Sequence, residues 1–417
     1  MKNKILLIIL LFLVLFDSVF YSFNFGFINL TLLRLFVIFY FLVYVFSHLS
    51  NKSLFMHKKV MHLLYLFWFW LLYLLISLIW SVNITNSIKG INFFILFFIL
   101  IYLIIKFMNT VEIAKSINDI FFVFTIIVTS IGLIEILTGF HLPTSRLMDF
   151  DNTVGNTRVA TGPFYNENDF SVFLSICFPF IMQRIFKSSL INKLTSAILL
   201  SIMIIIVIIN DAKLVLIAMG IQFLILLFVL NISILRKFMI TIFSVILIML
   251  VVSNNPQITD SFNTIKNDLN NQGGSTYIRI NLIKNALYLA SESNYLGIGI
   301  DNFPLIVKTN KIVPTFGFTD PHNWWMELLV EQGIIIFTIF IYLFIWMLKF
   351  LLKIYLKRTS LSRTSFTLFQ SLIGLAVASN APSSFFFYMP MWFLIGVSLA
   401  VINVSLYQDS VVEARVK

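Results

Sequence analysis

The chain is built from long apolar runs separated by short polar segments. A helix of about 20 apolar residues crosses the roughly 30 Å hydrocarbon layer of a membrane, where unpaired backbone groups find no partner. Strict alternation of apolar and polar residues, which marks a membrane β-barrel, is not seen. The pattern therefore predicts an all-α polytopic integral membrane protein with a single transmembrane domain over 1–417. Its spans are predicted near 5–21, 28–47, 62–81, 90–107, 118–138, 169–186, 194–210, 213–231, 234–253, 332–356, 364–380 and 384–406.

The basic residues predict the orientation of these spans, because Lys and Arg concentrate on cytoplasmic loops. With a cytoplasmic N-terminus, 19 of the 29 Lys and Arg residues fall on inside segments and nine on outside segments, while Arg34 lies within the second span. The sequence thus predicts a multi-pass protein of the cytoplasmic (plasma) membrane with both termini in the cytoplasm. The weakest boundary is the short break at 210–213, since one kinked span there would move the C-terminus to the other side.

Composition narrows the classes of function further. The chain is 59% hydrophobic and 11% charged, far from the balance of a soluble domain. A net charge of +11 is expected from basic cytoplasmic loops and does not require a nucleic-acid partner. The one cysteine, Cys177, excludes an intramolecular disulfide and a cysteine-based metal site.

Two predicted extracytoplasmic loops are long, at about 139–168 and 254–331, and the larger one joins helices 9 and 10. Long loops without structure of their own are uncommon unless they are functional. Within the larger loop, residues 275–290 have the spacing of an amphipathic helix, which we expect to begin at a capping Ser275 or Thr276. Its apolar face is predicted to carry Ile278, Leu282, Ala286 and Leu289.

Titratable residues at the outer ends of the spans are the candidates for chemistry. His322 follows Pro321 at the mouth of the tenth span, and a histidine there can accept a proton near neutral pH. Glu327 and Glu331 follow at a spacing of four residues, on one face of the predicted helix. Its position alone favours an interfacial histidine beside the Trp324–Trp325 pair.

Cations near the same side could bind a polyanion. Arg279 and Lys284 lie on the predicted loop helix, and arginine binds phosphate groups through two parallel hydrogen bonds. Lys213 stands at the outer end of the eighth span, where Asp211 could orient it. The alternatives are solvated surface charges and a lysine that reaches lipid headgroups.

Two charged residues fall inside predicted spans. Arg34 and Glu135 are functional candidates because charges within a membrane are costly, although they could instead form a structural ion pair with each other.

Three motifs follow one another between about 160 and 335. Asn166 and Asn168 come after Gly162-Pro163-Phe164. Arg279 precedes an apolar helix and the run 297–303, which contains two glycines. His322-Asn323 is followed by Glu331 and Gly333. In order, spacing and topology, these motifs resemble the O-antigen ligase and Wzy-type polysaccharide polymerase superfamily.

The resemblance implies an inverting, metal-independent membrane glycosyltransferase with no cofactor. The donor would be a polyprenyl-diphosphate-linked oligosaccharide, His322 the base that activates an acceptor sugar hydroxyl, and Arg279 and Lys213 the diphosphate-binding cations. Family members commonly carry arginine where this chain has Lys213. The supporting residues would be Asn323, Glu331, Asn166, Asn168 and Asp211. The implied partners are the bilayer, a chain-length regulator and a flippase, without nucleic acid.

Other functions remain open. Polymerase and ligase use the same kind of donor, and a composition typical of an AT-rich genome favours a polymerase that makes a capsule, an exopolysaccharide or a teichuronic-acid-like polymer. A lipid-linked oligosaccharide flippase should place polar groups at the membrane midplane, whereas here they gather outside. A glycosyltransferase with a carboxylate base in its first external loop would need an acidic pair, and only Asp17 is near that loop.

Overall fold

The computed structural model describes residues 2–20, 23–25, 28–48, 56–148, 158–186, 189–229 and 275–416. Within these ranges the regular secondary structure is helical apart from a short hairpin of β1 (Phe23–Phe25) and β2 (Ile28–Leu30). The all-α prediction is therefore confirmed. The helices are α1 (Lys2–Phe16), α2 (Leu32–His48), α3 (Lys58–Ser77), α4 (Ile84–Phe107), α5 (Val111–Thr138), α6 (Glu167–Arg184), α7 (Leu190–Ile209), α8 (Lys213–Val229), α9 (Ser275–Glu292), α10 (Phe303–Thr309), α11 (Trp324–Leu356), α12 (Ser362–Ala378) and α13 (Met389–Val416).

Helices occur at eleven of the twelve predicted spans, namely at α1 to α8 and α11 to α13. The ninth predicted span, near 234–253, lies outside the described residues. Among the described helices, α3, α4, α5, α7, α11 and α13 are each long and apolar enough to cross a membrane. The chain is thus a multi-pass membrane protein, while the count of twelve spans stays a prediction.

The predicted break between the seventh and eighth spans is a true helix–turn–helix. α7 ends at Ile209 and α8 begins at Lys213, and the two helices pack against each other. The reversal is possible in so few residues because Asp211 adopts a left-handed backbone conformation with φ 51°. The alternative of one kinked span is therefore wrong.

The bundle is organised around its last helix. In the most apolar 18-residue stretch of α13, 89% of residues are buried, against 28% for α7. α13 packs against α1, α3, α4, α5, α11 and α12. Gly396 allows α4 to approach closely, since a Cβ there would lie 2.7 Å from the side chain of Ile104. Trp392 then stacks on Phe97 with ring centroids 4.8 Å apart.

Segments predicted to share a side of the membrane contact one another. Among the predicted outside loops, the Val82 N–H donates to the Ile298 carbonyl at 3.2 Å, and the Asn210 amide donates to the Ala160 carbonyl at 2.8 Å. These contacts group the predicted outside loops at one end of the bundle, called here the outer end.

The predicted inside segments meet at the opposite end. Lys357 pairs with Asp409 at 2.7 Å, and the Asn118 amide donates to the Thr364 hydroxyl at 2.7 Å. The described helices therefore connect the two ends of the bundle in the alternating order that was predicted. The assignment of one end to the cytoplasm stays a prediction.

The loop helix α9 has the predicted amphipathic character. Ile278, Leu282, Ala286 and Leu289 are all buried, and α9 packs against α11. The polar stretch before it and the capping side chains of Ser275 and Thr276 lie outside the described residues.

α11 is broken at Gly333, which has φ 81° and ψ 171°. The break is used for backbone pairing with the segment 295–299, called here the glycine segment. The Ile298 N–H donates to the Val330 carbonyl at 2.9 Å, and the Ile334 N–H donates to the Tyr295 carbonyl at 2.9 Å. A Cβ on Gly333 would lie 2.6 Å from the Leu296 backbone, so glycine is required here both for its φ and for the space.

We expect Gly333→Ala to destabilise the protein by about 2–4 kcal/mol, because the new Cβ meets backbone atoms in a left-handed conformation. The measurement is the thermal unfolding midpoint of the purified protein in detergent. Gly220→Ala is the matched control, since Gly220 lies in α8 and a Cβ there would meet no atom within 4 Å. Equal midpoints for the two variants would contradict this account of the break in α11.

Candidate functional site

The candidate site lies at the outer end of the bundle, where four segments meet. These are the stretch 158–166 before α6, the turn 210–213, the helix α9, and the loop 310–322 before α11. Each is positioned by hydrogen bonds to a neighbouring loop or helix. Most of the predicted site residues fall on these four segments or at the start of the helix that follows, and Glu331 lies two turns into α11.

His322 is held by its backbone in an unusual conformation. It has φ 47°, a left-handed value that a non-glycine residue rarely adopts. Its N–H donates to the Ser383 carbonyl at 3.0 Å, which ties it to the loop before α13. Within the part of the chain that the structure describes, its Nδ1 atom is buried and makes no hydrogen bond. The residue as a whole is half-buried, so the imidazole lies at the border of the site with one ring nitrogen that has no protein partner.

The surroundings of His322 favour its neutral form. Burial lowers the pKa of the imidazole, and the positive charge of Arg279 lowers it further. Asp320 and the backbone of Ala381 and Pro382 act in the opposite direction without cancelling these effects. A histidine whose pKa lies below its ordinary value is largely unprotonated at neutral pH and can accept a proton.

The predicted cations gather on the same side of the bundle. Arg279 projects from the first turns of α9, and its charge interacts with those of His322 and Asp211. Asp211 also pairs with Lys213, with Oδ2 and Nζ 3.5 Å apart. The structure thus connects His322, Arg279, Asp211 and Lys213 by electrostatic interactions, as one cluster built from three different segments.

The two cations differ in how far they are buried. It lowers the pKa of Arg279, and the negative charge of Asp211 raises it in part; a guanidinium still keeps its charge at neutral pH. Lys213 is more open, with 43% of its side chain exposed. A half-buried arginine and a more exposed lysine that share one carboxylate form a cationic site suited to a phosphate or diphosphate.

Asn323 and Asn166 cap helices that border the site. The Asn323 side chain accepts a hydrogen bond from the Met326 N–H at 3.1 Å, which starts α11 directly after His322. The Asn166 side chain accepts from the Asp169 N–H at 2.8 Å and starts α6. Asn168 lies in the first turn of α6 and is half-buried. These contacts give the two caps a positioning role, and a direct role toward substrate stays a prediction.

Glu331 is a backbone acceptor. Its two carboxylate oxygens accept from the N–H groups of Asp301 at 2.8 Å and Phe303 at 3.0 Å, so it fixes the start of α10. Because the Gly299 N–H donates to the carbonyl of Glu331 at 3.0 Å, the run 297–301 is not an open phosphate cradle.

Glu327, one turn earlier in α11, is also an acceptor of backbone N–H groups. It accepts from the Ser384 hydroxyl at 2.6 Å and from the N–H groups of Phe385 at 2.8 Å and Phe386 at 3.3 Å. The loop that it holds includes Ser383, whose carbonyl receives the His322 N–H. The carboxylate therefore positions His322 through that loop.

An ion pair between Arg34 and Glu135 was one of two alternatives for these residues, and the structure gives each of them other partners. Glu135 accepts from the N–H groups of Thr161 and Gly162, both at 2.7 Å, and lies beside His141. The guanidinium of Arg34 lies over the Phe93 ring, 4.5 Å from its centroid. Glu135 thus positions the stretch before α6, a role that sequence spacing could not indicate because its partners are backbone groups.

Two neighbours of His322 were missed by the sequence analysis. Asp320 acts electrostatically on His322 and also on Asp301, and burial raises the pKa of Asp301 to about 6. The Phe318 ring meets the His322 ring edge-on, with centroids 6.2 Å apart. An acid and an aromatic residue within four positions of a candidate base were a usable signal. Among the described residues, no three His, Cys, Asp or Glu side chains are grouped to hold a metal.

Sequence comparisons relate the chain to known proteins. A family model described as O-antigen ligase matches residues 198–341, a range that contains Lys213, Arg279 and His322. The resemblance to the O-antigen ligase and Wzy-type polymerase superfamily is confirmed. The chain is also 24% identical over 412 residues to the teichuronic acid biosynthesis protein TuaE of Bacillus subtilis (strain 168), covering 93% of this chain and 82% of the relative. The motif with Asn166 and Asn168 lies outside the range of the O-antigen ligase match.

The pKa of His322 offers a test of the cluster. Removing the positive charge in Arg279→Gln should raise that pKa, since Arg279 favours the neutral imidazole. The measurement is the rate of modification by diethyl pyrocarbonate against pH, read at the peptide that contains His322, because only neutral histidine reacts. The midpoint should lie below about 6.5 in the wild type and move upward in the variant.

Lys284→Gln is the control for that experiment. Lys284 is an exposed cation on α9, so its loss should leave the midpoint in place. An unchanged midpoint in Arg279→Gln would show that the guanidinium does not act on His322.

Proposed function

We propose that this protein is a surface-polysaccharide polymerase. It transfers a glycan from a polyprenyl-diphosphate-linked donor to a sugar hydroxyl of the acceptor, on the outer face of the cytoplasmic membrane. The observation that carries the proposal is the cluster of His322, Arg279, Asp211 and Lys213 at the outer end of the bundle. A largely neutral histidine interacts with Arg279, and Arg279 interacts with Asp211, which pairs with Lys213. A base with two cations is the combination that this transfer needs.

His322 acts as the general base. Its imidazole takes the proton of the acceptor hydroxyl as the hydroxyl oxygen attacks the anomeric carbon of the donor sugar. The bond between that carbon and the diphosphate oxygen breaks, and its electron pair leaves with the diphosphate. Attack opposite the leaving group inverts the anomeric centre. A base of this kind contributes roughly 10²–10⁴-fold to the rate.

Arg279 and Lys213 stabilise the leaving group. Charge develops on the bridging oxygen in the transition state, and fixed cations there stabilise it without having to reorganise. Asp211 lies between the two cations and reduces their mutual repulsion while the site is empty. The partly buried position of Arg279 strengthens its interaction with the diphosphate, because less water screens it.

The comparisons support a proposal for the product. Similarity to a teichuronic acid biosynthesis protein favours a cell-wall polysaccharide made by polymerisation of lipid-linked units. The second candidate is an O-antigen-type ligase that moves the glycan to a different acceptor, and the description of the matching family favours it. Both activities use the same cluster and differ in the acceptor.

The decisive experiment uses the purified protein with polyprenyl-diphosphate-linked repeat units extracted from its host, with EDTA present. The wild type should produce a ladder of longer lipid-linked products. His322→Ala and Arg279→Ala should each reduce the initial rate at least about 100-fold, since each removes a group that acts in the transition state. Lys284→Ala, the exposed control on the same helix, should keep the rate of the wild type.

The outcomes separate the hypotheses. A ladder that survives His322→Ala would move the base elsewhere. Transfer to one foreign acceptor without a ladder would establish the ligase. Repeat units that cross a liposome membrane without any transfer would establish a flippase.

Two variants of Lys213 test whether a second cation acts on the leaving group. Lys213→Arg keeps the charge and restores the bidentate geometry, so we expect its rate to stay within about three-fold of the wild type. Lys213→Ala should lose about ten-fold or more, by removal of one charge at the leaving group. The rates are compared as initial rates in the same ladder assay. Rates of both variants equal to that of the wild type would show that Lys213 is not part of the site.

A further inference from the structure

The loop before His322 exposes two aromatic rings. The turn 315–318, called here the aromatic turn, is closed by a hydrogen bond from the Phe318 N–H to the Thr315 carbonyl at 3.0 Å. The side chains of Phe316 and Phe318 are 50% and 49% exposed. Neither residue belongs to the cluster of charges described above.

The aromatic turn has an unfavourable backbone for its sequence. Its two central residues both have positive φ, 52° at Phe316 and 89° at Gly317. Such turns are dominated by Gly, Asn and Asp, and a bulky side chain in this conformation is an outlier. Phe316 gains little from it in packing, because half of its side chain stays in contact with solvent. Conformations of this kind are kept where the surroundings enforce them, and they concentrate at ligand sites.

Two buried asparagines of α9 enforce the position of the turn. The amide of Asn281 donates to the Pro314 carbonyl at 2.9 Å. Asn285, one helical turn further on, donates to the Val313 carbonyl at 3.1 Å and accepts from the Ile312 N–H at 2.8 Å. Both asparagines are almost fully buried. The segment that leads into the aromatic turn is therefore fixed to the helix that carries Arg279.

The rings extend from Arg279 toward His322. Phe316 lies against Tyr277, with centroids 6.3 Å apart, and Tyr277 is two residues before Arg279 on α9. Phe318 meets His322 at 6.2 Å. The aromatic turn thus borders the candidate base with one ring and the diphosphate-binding helix with the other.

We infer that the aromatic turn is a sugar-binding subsite, in which the apolar face of a pyranose ring of the acceptor stacks on Phe318. The C–H groups on that face are attracted by the electron-rich face of an aromatic ring. Asp320, two residues further on, supplies a carboxylate for hydroxyl groups at the edge of the sugar. A sugar stacked on Phe318 has its hydroxyls beside His322, which removes the proton of one of them. The inference rests on the proposed function, and adds to it a residue that selects and orients the acceptor.

The occupant is a sugar and not the polyprenyl chain. The rings lie on the outer loop, and along the chain Thr319 and Asp320 on one side and Lys311 on the other are polar, while Ile312 is exposed and apolar. A lipid tail would need a continuous apolar surface, whereas a pyranose presents one apolar face and a polar rim.

The test is the affinity for the repeat-unit oligosaccharide that mild acid releases from the host lipid-linked intermediates. Binding to the purified full-length protein is measured by saturation-transfer NMR titration. Phe318→Leu keeps an apolar side chain but removes the aromatic face, so Kd should rise about 3- to 10-fold. Phe318→Tyr should keep Kd within about two-fold, because the face is retained. Because the side chain is half-exposed, neither change should move the thermal unfolding midpoint.

Tyr288→Leu is the matched control. Tyr288 is an exposed aromatic residue of α9, nine residues and therefore about 13 Å along the helix from Arg279. Its loss should leave Kd unchanged. Equal affinities for the wild type and Phe318→Leu would overturn the inference. So would weaker binding of undecaprenyl phosphate with unchanged binding of the oligosaccharide, which would assign the rings to the lipid.

The ladder assay distinguishes the two levels of the argument. If the wild type elongates lipid-linked units and Phe318→Leu elongates them with the same dependence on acceptor concentration, only the sugar subsite is refuted. If the wild type elongates nothing and binds no oligosaccharide, the proposed function fails and the subsite fails with it. A ladder in the wild type, together with a raised acceptor KM in Phe318→Leu and an unchanged rate at saturation, supports both.

Discussion

The candidate site depends on the pairing of the glycine segment with the broken helix α11. Backbone groups of Val330, Glu331 and Ile334 hydrogen-bond to residues 295–299, and Gly333 provides the left-handed turn that lets them do so. A buried backbone group that lacks a partner costs about 1–3 kcal/mol, so these bonds fix the register of the two segments. Because α9 precedes the glycine segment and α10 follows it, the pairing determines where Arg279 lies relative to His322.

Side chains from the bundle reinforce that pairing. Tyr73 and Trp80 donate to the carbonyls of Leu296 and Gly297, at 2.8 and 3.1 Å. Trp70 donates to the side chain of Gln332 at 2.6 Å. Each donor comes from α3 or from the residues just after it. The outer loop is therefore attached to the membrane-spanning part of the protein by polar contacts, which restrict its sliding more than apolar contacts would.

Local patterns could be predicted from the sequence, and long-range partners could not. The apolar face of α9 was predicted residue by residue, because helical periodicity is a local property. The spacing of Glu327 and Glu331 correctly placed both on one helix, but it suggested chemistry where the structure shows two acceptors of backbone N–H groups. Their partners lie about 30 and 58 residues away in sequence, and no local pattern encodes such a contact. The same reason explains why the sequence left open a pairing of Arg34 with Glu135.

The cluster itself was predicted for a different kind of reason. A family resemblance linked His322, Arg279 and Lys213 before the structure was considered. The residues alone also allowed an interfacial histidine, solvated surface charges and a lysine that reaches lipid headgroups. Asp211 was predicted to orient Lys213, and the structure adds its interaction with Arg279. The structure also adds Asp320 as an acid that acts on the base. The site contains two acids, two cations and a neutral histidine, so its net charge is close to zero. A diphosphate that enters would therefore meet cations whose present partners are carboxylates, and it would compete with Asp211 for both. Binding of the donor would then release Asp211 from Lys213, which places the carboxylate among the groups that determine how tightly the diphosphate product is held.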